Sequence, residues 1–141
     1  MASFADSAQV DFQFISDATT LNSSFDSITH MNGGTNAGLG IQFGYDNIVD
    51  GNARSGVRVA MVVITDGFSF DDVSTPSDAM RTHGIDMFSV GYNTANIVQL
   101  QEIANDPDTT FLYQGATISD LIGIVDQLVT EICGQPASFT G

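Results

Sequence analysis

The feature that most constrains this chain is the apolar run VRVAMVVIT at residues 57–65, which is followed directly by Asp66 and Gly67. The run is nearly continuous and rich in β-branched residues, a pattern typical of a parallel strand that is covered on both faces. It is far too short to cross a bilayer, which takes about 20 apolar residues. The sequence therefore predicts a buried central strand that ends on a carboxylate.

Strand-like and helix-like patterns alternate from this run to the end of the chain. Strand patterns recur at 85–92 and 110–115, and helix patterns occur at 74–84, 96–106 and 118–132. Upstream, residues 3–14 predict two strands joined by a turn, and residues 19–30 and 39–48 predict helices. The alternation predicts an α/β fold, namely a three-layer, doubly wound, mostly parallel sheet with helices on both faces.

The charge of the chain limits its partners. It has 17 acidic residues, three arginines and no lysine, which gives a formal net charge of −14. Nucleic acids and anionic lipids are poor partners for such a surface, because both require cationic groups on the protein. Cations, basic partners or high salt suit it better, although the charge also increases solubility by itself.

Two oxygen-bearing residues are candidates for a metal site. Asp66 stands at the carboxyl end of the predicted strand, where parallel sheets bind ligands. A carboxylate in this position requires a partner, and few arginines are available to supply one. Thr35 lies in the glycine-bounded segment GGTN at 33–36. Hydroxyl and carboxylate oxygens suit Mg²⁺ or Mn²⁺, so one hypothesis is that both residues are metal ligands. The alternative hypothesis is that Asp66 is a turn residue and Thr35 an ordinary loop residue whose hydroxyl binds no metal.

Other polar residues after the strand are assigned simpler roles. We expect Asp71 and Asp72 to be solvated loop acids, Ser69 to cap the turn that follows it, and Thr75 to cap the helix at 74–84.

The sequence also lacks the usual signatures of an enzyme. It contains no G-x-S-x-G motif, no Walker phosphate loop and no G-x-G-x-x-G after a strand. Cys133 has no histidine near it in sequence, which disfavours a nucleophilic role. We therefore expect no catalytic activity, and a nucleotide-binding enzyme domain is the less favoured alternative.

The order of several segments resembles the von Willebrand factor A domain, the family that includes integrin inserted domains and many matrix modules. The segments are FADSAQVDF, GGTNAGLGIQ, RVAMVVITDGFSFDD, AMRTHGIDMFSVGY, LQEIANDPD and ISDLIGIVDQLVTEIC. The resemblance implies an extracellular protein-binding or adhesion module without catalytic activity. It also implies a metal-ion-dependent adhesion site in which Thr35 and Asp66 match two ligands, and in which an acidic group of the protein ligand completes the coordination of Mg²⁺ or Mn²⁺.

The chain departs from the family pattern because it has no Asp-x-Ser-x-Ser motif. By the resemblance, residues 1–134 form an N-terminally truncated domain that lacks the first strand and first helix, and residues 135–141 form a tail. The metal site is then incomplete, and we expect metal affinity to be weak or absent in the isolated chain. The alternative function is a structural matrix or assembly module with no working metal site.

The resemblance has two further implications. Cys133 is the surviving half of a disulfide between the two ends of the family fold, so it is expected to be free, joined to another molecule, or left from a lost bridge.

The first strand of the family lies between the second strand and the strand that ends at Asp66. We therefore expect a strand donated in trans, self-association, or closure of the sheet by pairing SFADSAQV with RVAMVVIT. We expect the partners to be proteins, and we expect neither nucleic-acid binding nor membrane insertion. The expected location is extracellular, although no secretion signal is present in this chain.

Overall fold

The structure is a computed structural model that describes residues 1–134. The predicted tail at 135–141 lies outside the described residues. In chain order the elements are β1 (Ala2–Phe4), β2 (Ala8–Val10), α1 (Ala18–Asp26), α2 (Ala37–Gly44) continued by a π-helical turn (Tyr45–Val49), β3 (Ala60–Thr65), α3 (Ser74–Thr82), β4 (Asp86–Tyr92), α4 (Ile97–Ile103), α5 (Asp108–Phe111), β5 (Leu112–Gly115) and α6 (Ile118–Gly134).

The chain divides into two compact units. The first comprises Met1–Val57 and Ser69–Pro76, and the second comprises Arg58–Phe68 and the chain from Ser77 onward. No helix within residues 1–134 combines the length and the apolar character that crossing a bilayer requires.

The first unit contains an antiparallel hairpin and helix α2. Strands β1 and β2 pair with Ala2 opposite Val10 and Phe4 opposite Ala8, which confirms the prediction of two strands joined by a turn. A Cβ added at Gly40 of α2 would lie 2.6 Å from Cδ1 of Phe4. Glycine at this position therefore lets the helix approach the hairpin closely.

The second unit is built on a parallel sheet in the order β3-β4-β5, with Val62 beside Phe88 and Val90 beside Tyr113. Strand β4 is buried along nearly its whole length. Because successive side chains point to opposite faces of a sheet, Phe88 and Val90 share one face and pack against α6.

The opposite face of β4 is covered by α4. Ser89 Oγ donates a hydrogen bond to the carbonyl oxygen of Leu100, 2.9 Å away, and a Cβ at Gly91 would overlap the Leu100 side chain. Helices thus cover both faces of the parallel sheet, as the predicted α/β fold class requires.

The position of β3 corrects one prediction. The run at 57–65 predicts a central strand, whereas β3 begins at Ala60 and pairs only with β4 within the described chain, so it is an edge strand. The hairpin β1–β2 belongs to a different sheet, so the alternative in which SFADSAQV pairs with this strand is not adopted. Hydrophobicity makes the faces of a strand suitable for burial, but a central position also requires a hydrogen-bonded strand along each edge.

Candidate functional site

The Thr35 loop of the first unit is held by the turn of the hairpin. The Asp6 carboxylate accepts a hydrogen bond from the Gly34 backbone N–H at 2.9 Å, and the Ala5 carbonyl accepts one from the Asn36 N–H at 3.1 Å. Gly33 has a φ of 136°, a conformation that favours glycine. The half-buried Thr35 therefore lies in a segment whose backbone is fixed on both sides.

The start of α2 is capped by the loop at 69–72. The Asp71 carboxylate accepts hydrogen bonds from the backbone N–H groups of Gly38 and Leu39, at 3.0 and 2.7 Å. Ser69 Oγ accepts one from the Ala37 N–H at 2.8 Å and donates one to Asp71 at 2.6 Å. These bonds satisfy N–H groups of the first turn that have no partner inside the helix.

This loop also bonds directly to Thr35. The Phe70 N–H donates a hydrogen bond to the Thr35 carbonyl oxygen, 2.8 Å away. The predictions that Asp71 is a solvated acid and that Ser69 caps the following turn are therefore wrong. Both side chains stabilise α2 and the segment that carries Thr35, and Ser69 is buried.

Asp72 has a separate role at the start of α3. Its carboxylate accepts hydrogen bonds from the N–H groups of Ser74 and Thr75, at 2.9 and 3.3 Å. Hydrogen bonds from the Thr75 side chain and backbone, with one from Ser74, lower the pKa of the Asp72 carboxyl. The cap of this helix is thus Asp72, whereas the sequence predicts Thr75, which lies inside the first turn.

Asp66 follows the last residue of β3 in the second unit, as the sequence predicts. Its side chain is exposed, and its backbone carbonyl accepts a hydrogen bond from Thr94 Oγ1 at 2.9 Å. No residue in 1–134 donates a hydrogen bond to the Asp66 carboxylate. The carboxylate is therefore available to a partner from outside the chain.

The residues present do not by themselves fit a metal ion. Thr35 belongs to the first unit and Asp66 to the second. Among the side chains that the structure describes, no group of three or more His, Cys, Asp or Glu is placed to hold a cation. Two oxygen donors fall short of the six that Mg²⁺ takes. The incomplete site at Thr35 and Asp66 thus stays a prediction.

Cys133 is exposed near the end of α6, and it forms no disulfide within the described part of the chain. An exposed thiol is accessible to a second molecule. Its pairing with another chain, or the loss of its original partner, remains a prediction.

The residues that sequence reasoning missed are Asp6, Ser69 and Asp71. Each bonds to a backbone group 28 to 33 positions away along the chain. The spacing of apolar residues along the chain cannot predict contacts over such sequence distances. For Ser69 and Asp71 the available signal was the pattern Ser-x-Asp a few residues after a strand, because both residue types are frequent capping residues.

Comparison with known proteins places this fold in a family. The sequence model of the von Willebrand factor type A domain matches residues 1–127. The chain is 34% identical over 114 residues to the collagen alpha-1(XII) chain of Notophthalmus viridescens, covering 77% of this chain and 12% of that protein. It is 33% identical over 106 residues to human cochlin, covering 75% of this chain and 19% of cochlin. The chain therefore spans only a small part of these relatives.

A solved structure agrees with the sequence relatives in fold. Proximal thread matrix protein 1 from the mussel byssus, in a form with a zinc-occupied MIDAS motif, superposes with a TM-score of 0.77 at 21% identity. The match covers 91% of this chain and 33% of that one. The match to the family model over residues 1–127, together with these relatives, shows that the chain belongs to the von Willebrand factor type A domain family.

Proposed function

We propose that this chain is an extracellular protein-binding module that acts in a matrix or adhesive assembly. Its membership of the von Willebrand factor type A family and its identity to parts of collagen chains and of cochlin support this assignment. The alternative is a structural module of such an assembly with no working metal site. Because the chain spans a small part of its relatives, the activity of the whole protein is also a matter of proposal.

The observation that carries the binding function is the exposure of Phe70 on a fixed loop. The Phe70 side chain is 77% exposed. Its backbone is bonded to Thr35, and its two neighbours Ser69 and Asp71 cap α2. A large aromatic side chain on an ordered loop loses little conformational entropy on binding, which is a property of interface hot spots.

The chemistry of the partner follows from the charge of the domain. With a net charge of −14 and no lysine, the domain favours proteins with basic surface and disfavours nucleic acid. A partner's acidic side chain can bind beside the exposed Asp66 carboxylate only if a cation lies between the two carboxylates, since like charges repel. The proposal includes two modes of binding, one through a basic surface of the partner and one through a partner carboxylate bridged by a cation. It also includes donation of a strand by the partner.

Replacing Phe70 by alanine is expected to weaken partner binding by about tenfold or more, the effect of losing a hot-spot residue. The probe is a surface that carries purified triple-helical collagen, over which this chain is passed at fixed ionic strength. Phe14→Ala is the matched control, because Phe14 is 57% exposed and lies outside the capping loop. Absence of saturable binding by the unaltered chain, or equal losses in both variants, would contradict the proposal.

The isolated chain is expected to bind Mg²⁺ and Mn²⁺ no more tightly than about 1 mM, because a closed site needs more oxygen ligands than Thr35 and Asp66 provide. Titration calorimetry measures this affinity directly, with Asp66→Ala and the exposed Asp126→Ala as a matched pair. Stoichiometric submillimolar binding that only Asp66→Ala abolishes would show that the site is more complete than we propose. Partner binding that is equal in Mg²⁺ and in EDTA would favour the metal-free structural alternative.

A further inference from the structure

Helix α1 carries the only acceptor sequence for N-glycosylation in the chain. The segment Asn22-Ser23-Ser24 has the form Asn-x-Ser, and its middle residue is not proline. No other asparagine in the 141 residues is followed two positions later by serine or threonine. An acceptor sequence is used where the asparagine lies at the surface of a protein that is secreted. The structure shows whether Asn22 meets the first of these conditions.

The Asn22 side chain is open to solvent. Helix α1 contains no buried residue, and Asn22 itself is exposed. Among the side chains and backbone groups that the structure describes, none forms a hydrogen bond with the Asn22 side-chain amide. An oligosaccharide joined to this amide therefore replaces no hydrogen bond of the described chain.

The aromatic neighbour of Asn22 on the helix is Phe25, which is only partly covered. Its ring packs edge-on against Phe12, with the ring centroids 5.2 Å apart and the ring planes at 80°. Even so, the Phe25 side chain is 49% exposed. Residues three positions apart are neighbours on a helix surface. An oligosaccharide on Asn22 therefore begins beside the exposed part of the Phe25 ring.

Glycosylation requires α1 to be open while the oligosaccharide is transferred. The transferase must contact the Asn22 amide and the Ser24 hydroxyl together, whereas side chains two positions apart do not face each other on a helix. Helix α1 has 9 residues, fewer than the about 12–15 that an isolated helix needs in water. The Ser24 hydroxyl also donates a hydrogen bond to the Thr20 carbonyl oxygen at 2.9 Å, a bond that slightly destabilises helices. Since no residue of α1 is buried, opening the helix exposes no core.

We propose that Asn22 accepts an N-linked oligosaccharide, which covers the exposed side of α1 around Phe25. The inference rests on the extracellular location in the proposed function. The donor is an oligosaccharide joined to a lipid diphosphate. A bond forms between Nδ2 of Asn22 and the anomeric carbon of the first sugar, and the bond from that carbon to the diphosphate oxygen breaks. The lipid diphosphate leaves with the electron pair, and the amide nitrogen loses one proton to a base of the transferase.

The mass of the chain after passage through a secretory pathway tests the site. The full chain is expressed in eukaryotic cells behind an added signal peptide, and it is recovered from the secretory compartments and the medium. We expect an added mass that peptide N-glycosidase removes. Asn22→Gln and Ser24→Ala should each abolish the added mass, because each removes a group that the acceptor sequence requires. An unaltered chain without added mass would overturn the proposal.

Replacing Ser23 provides the matched control. The Ser23 hydroxyl bonds to the Thr19 carbonyl oxygen at 3.0 Å, as Ser24 bonds to its own carbonyl. Ser23 nevertheless occupies the middle position, where any residue except proline is accepted. Ser23→Ala should keep the added mass, as should Ser24→Thr, which retains a hydroxyl. Loss of the added mass in Ser23→Ala would contradict the assignment, because the effect would then follow from the helix and not from the acceptor sequence.

Two further measurements test the covering of Phe25 and separate this site from partner binding. An apolar fluorescent dye should bind the glycosylated chain less than the digested chain, and Phe25→Ala should remove the difference. Equal dye binding before and after digestion would contradict the covering. Collagen binding is measured on the same preparations. A chain that binds collagen but carries no oligosaccharide overturns only this inference, whereas a glycosylated chain that does not bind supports it and contradicts the proposed function.

Discussion

Replacing Gly38 by alanine is expected to lower the free energy of unfolding by about 3 kcal/mol, the upper part of the range for an overpacked site. A Cβ at Gly38 would overlap the backbone carbonyl of Asp72. The clash involves backbone atoms, so no side-chain rotation can relieve it. Relief requires movement of the loop at 69–72, and that movement weakens the hydrogen bonds from Asp71 to the Gly38 and Leu39 N–H groups.

The same substitution at Gly123 provides the control. Gly123 is exposed in α6, and a Cβ there would meet no atom within 4 Å. Alanine at an open helical position is expected to stabilise the protein by up to about 1 kcal/mol. Urea denaturation at matched protein concentration should therefore give changes of opposite sign. A Gly38→Ala variant as stable as Gly123→Ala would contradict the tight contact between α2 and the loop.

Truncating Leu100 to alanine is expected to cost about 2–5 kcal/mol of unfolding free energy, as for other fully buried leucines. Leu100 is 0% exposed, and its side chain occupies the space over Gly91. The backbone of Leu100 also accepts the hydrogen bond from buried Ser89. Such a loss is a large fraction of the roughly 5–15 kcal/mol that stabilises a typical domain.

Val98 on the same helix provides the comparison for this prediction. Its side chain is 58% exposed, so Val98→Ala should change the unfolding free energy by no more than about 0.5 kcal/mol. Both variants are measured by the shift of the urea midpoint at constant slope. Comparable small shifts in the two variants would show that α4 is not part of the core of the second unit.

The two units carry different parts of the proposed function. In the first unit, the capping bonds of Ser69 and Asp71 hold the loop that presents Phe70 to a partner. In the second unit, Asp66 ends an edge strand whose outer side is open among the residues described. Partner binding through Phe70 and metal binding at Asp66 are therefore tested separately.

Local sequence patterns determined most of the element order. The β-branched run before Asp66 predicts β3 because alternating or continuous apolar residues suit a pleated strand, and the spacing of three and four at 118–132 predicts α6. The order of the segments also predicted the α/β class and the family, both of which are confirmed. These features depend on the periodicity of neighbouring residues, which a sequence shows directly.

Only the tertiary structure decided which residues satisfy the ends of α2 and how β3 is covered. The helix-terminal N–H groups of Gly38 and Leu39 needed a partner, but the sequence could not show that Asp71, more than 30 positions away, supplies it. In the same way, β3 has the composition of a central strand but lies at an edge of the described sheet. The position of a strand depends on which strands pair with it, and its own composition does not determine that. Capping by a distant loop and pairing with a neighbouring strand both depend on contacts between residues far apart in sequence. Local periodicity cannot predict such contacts.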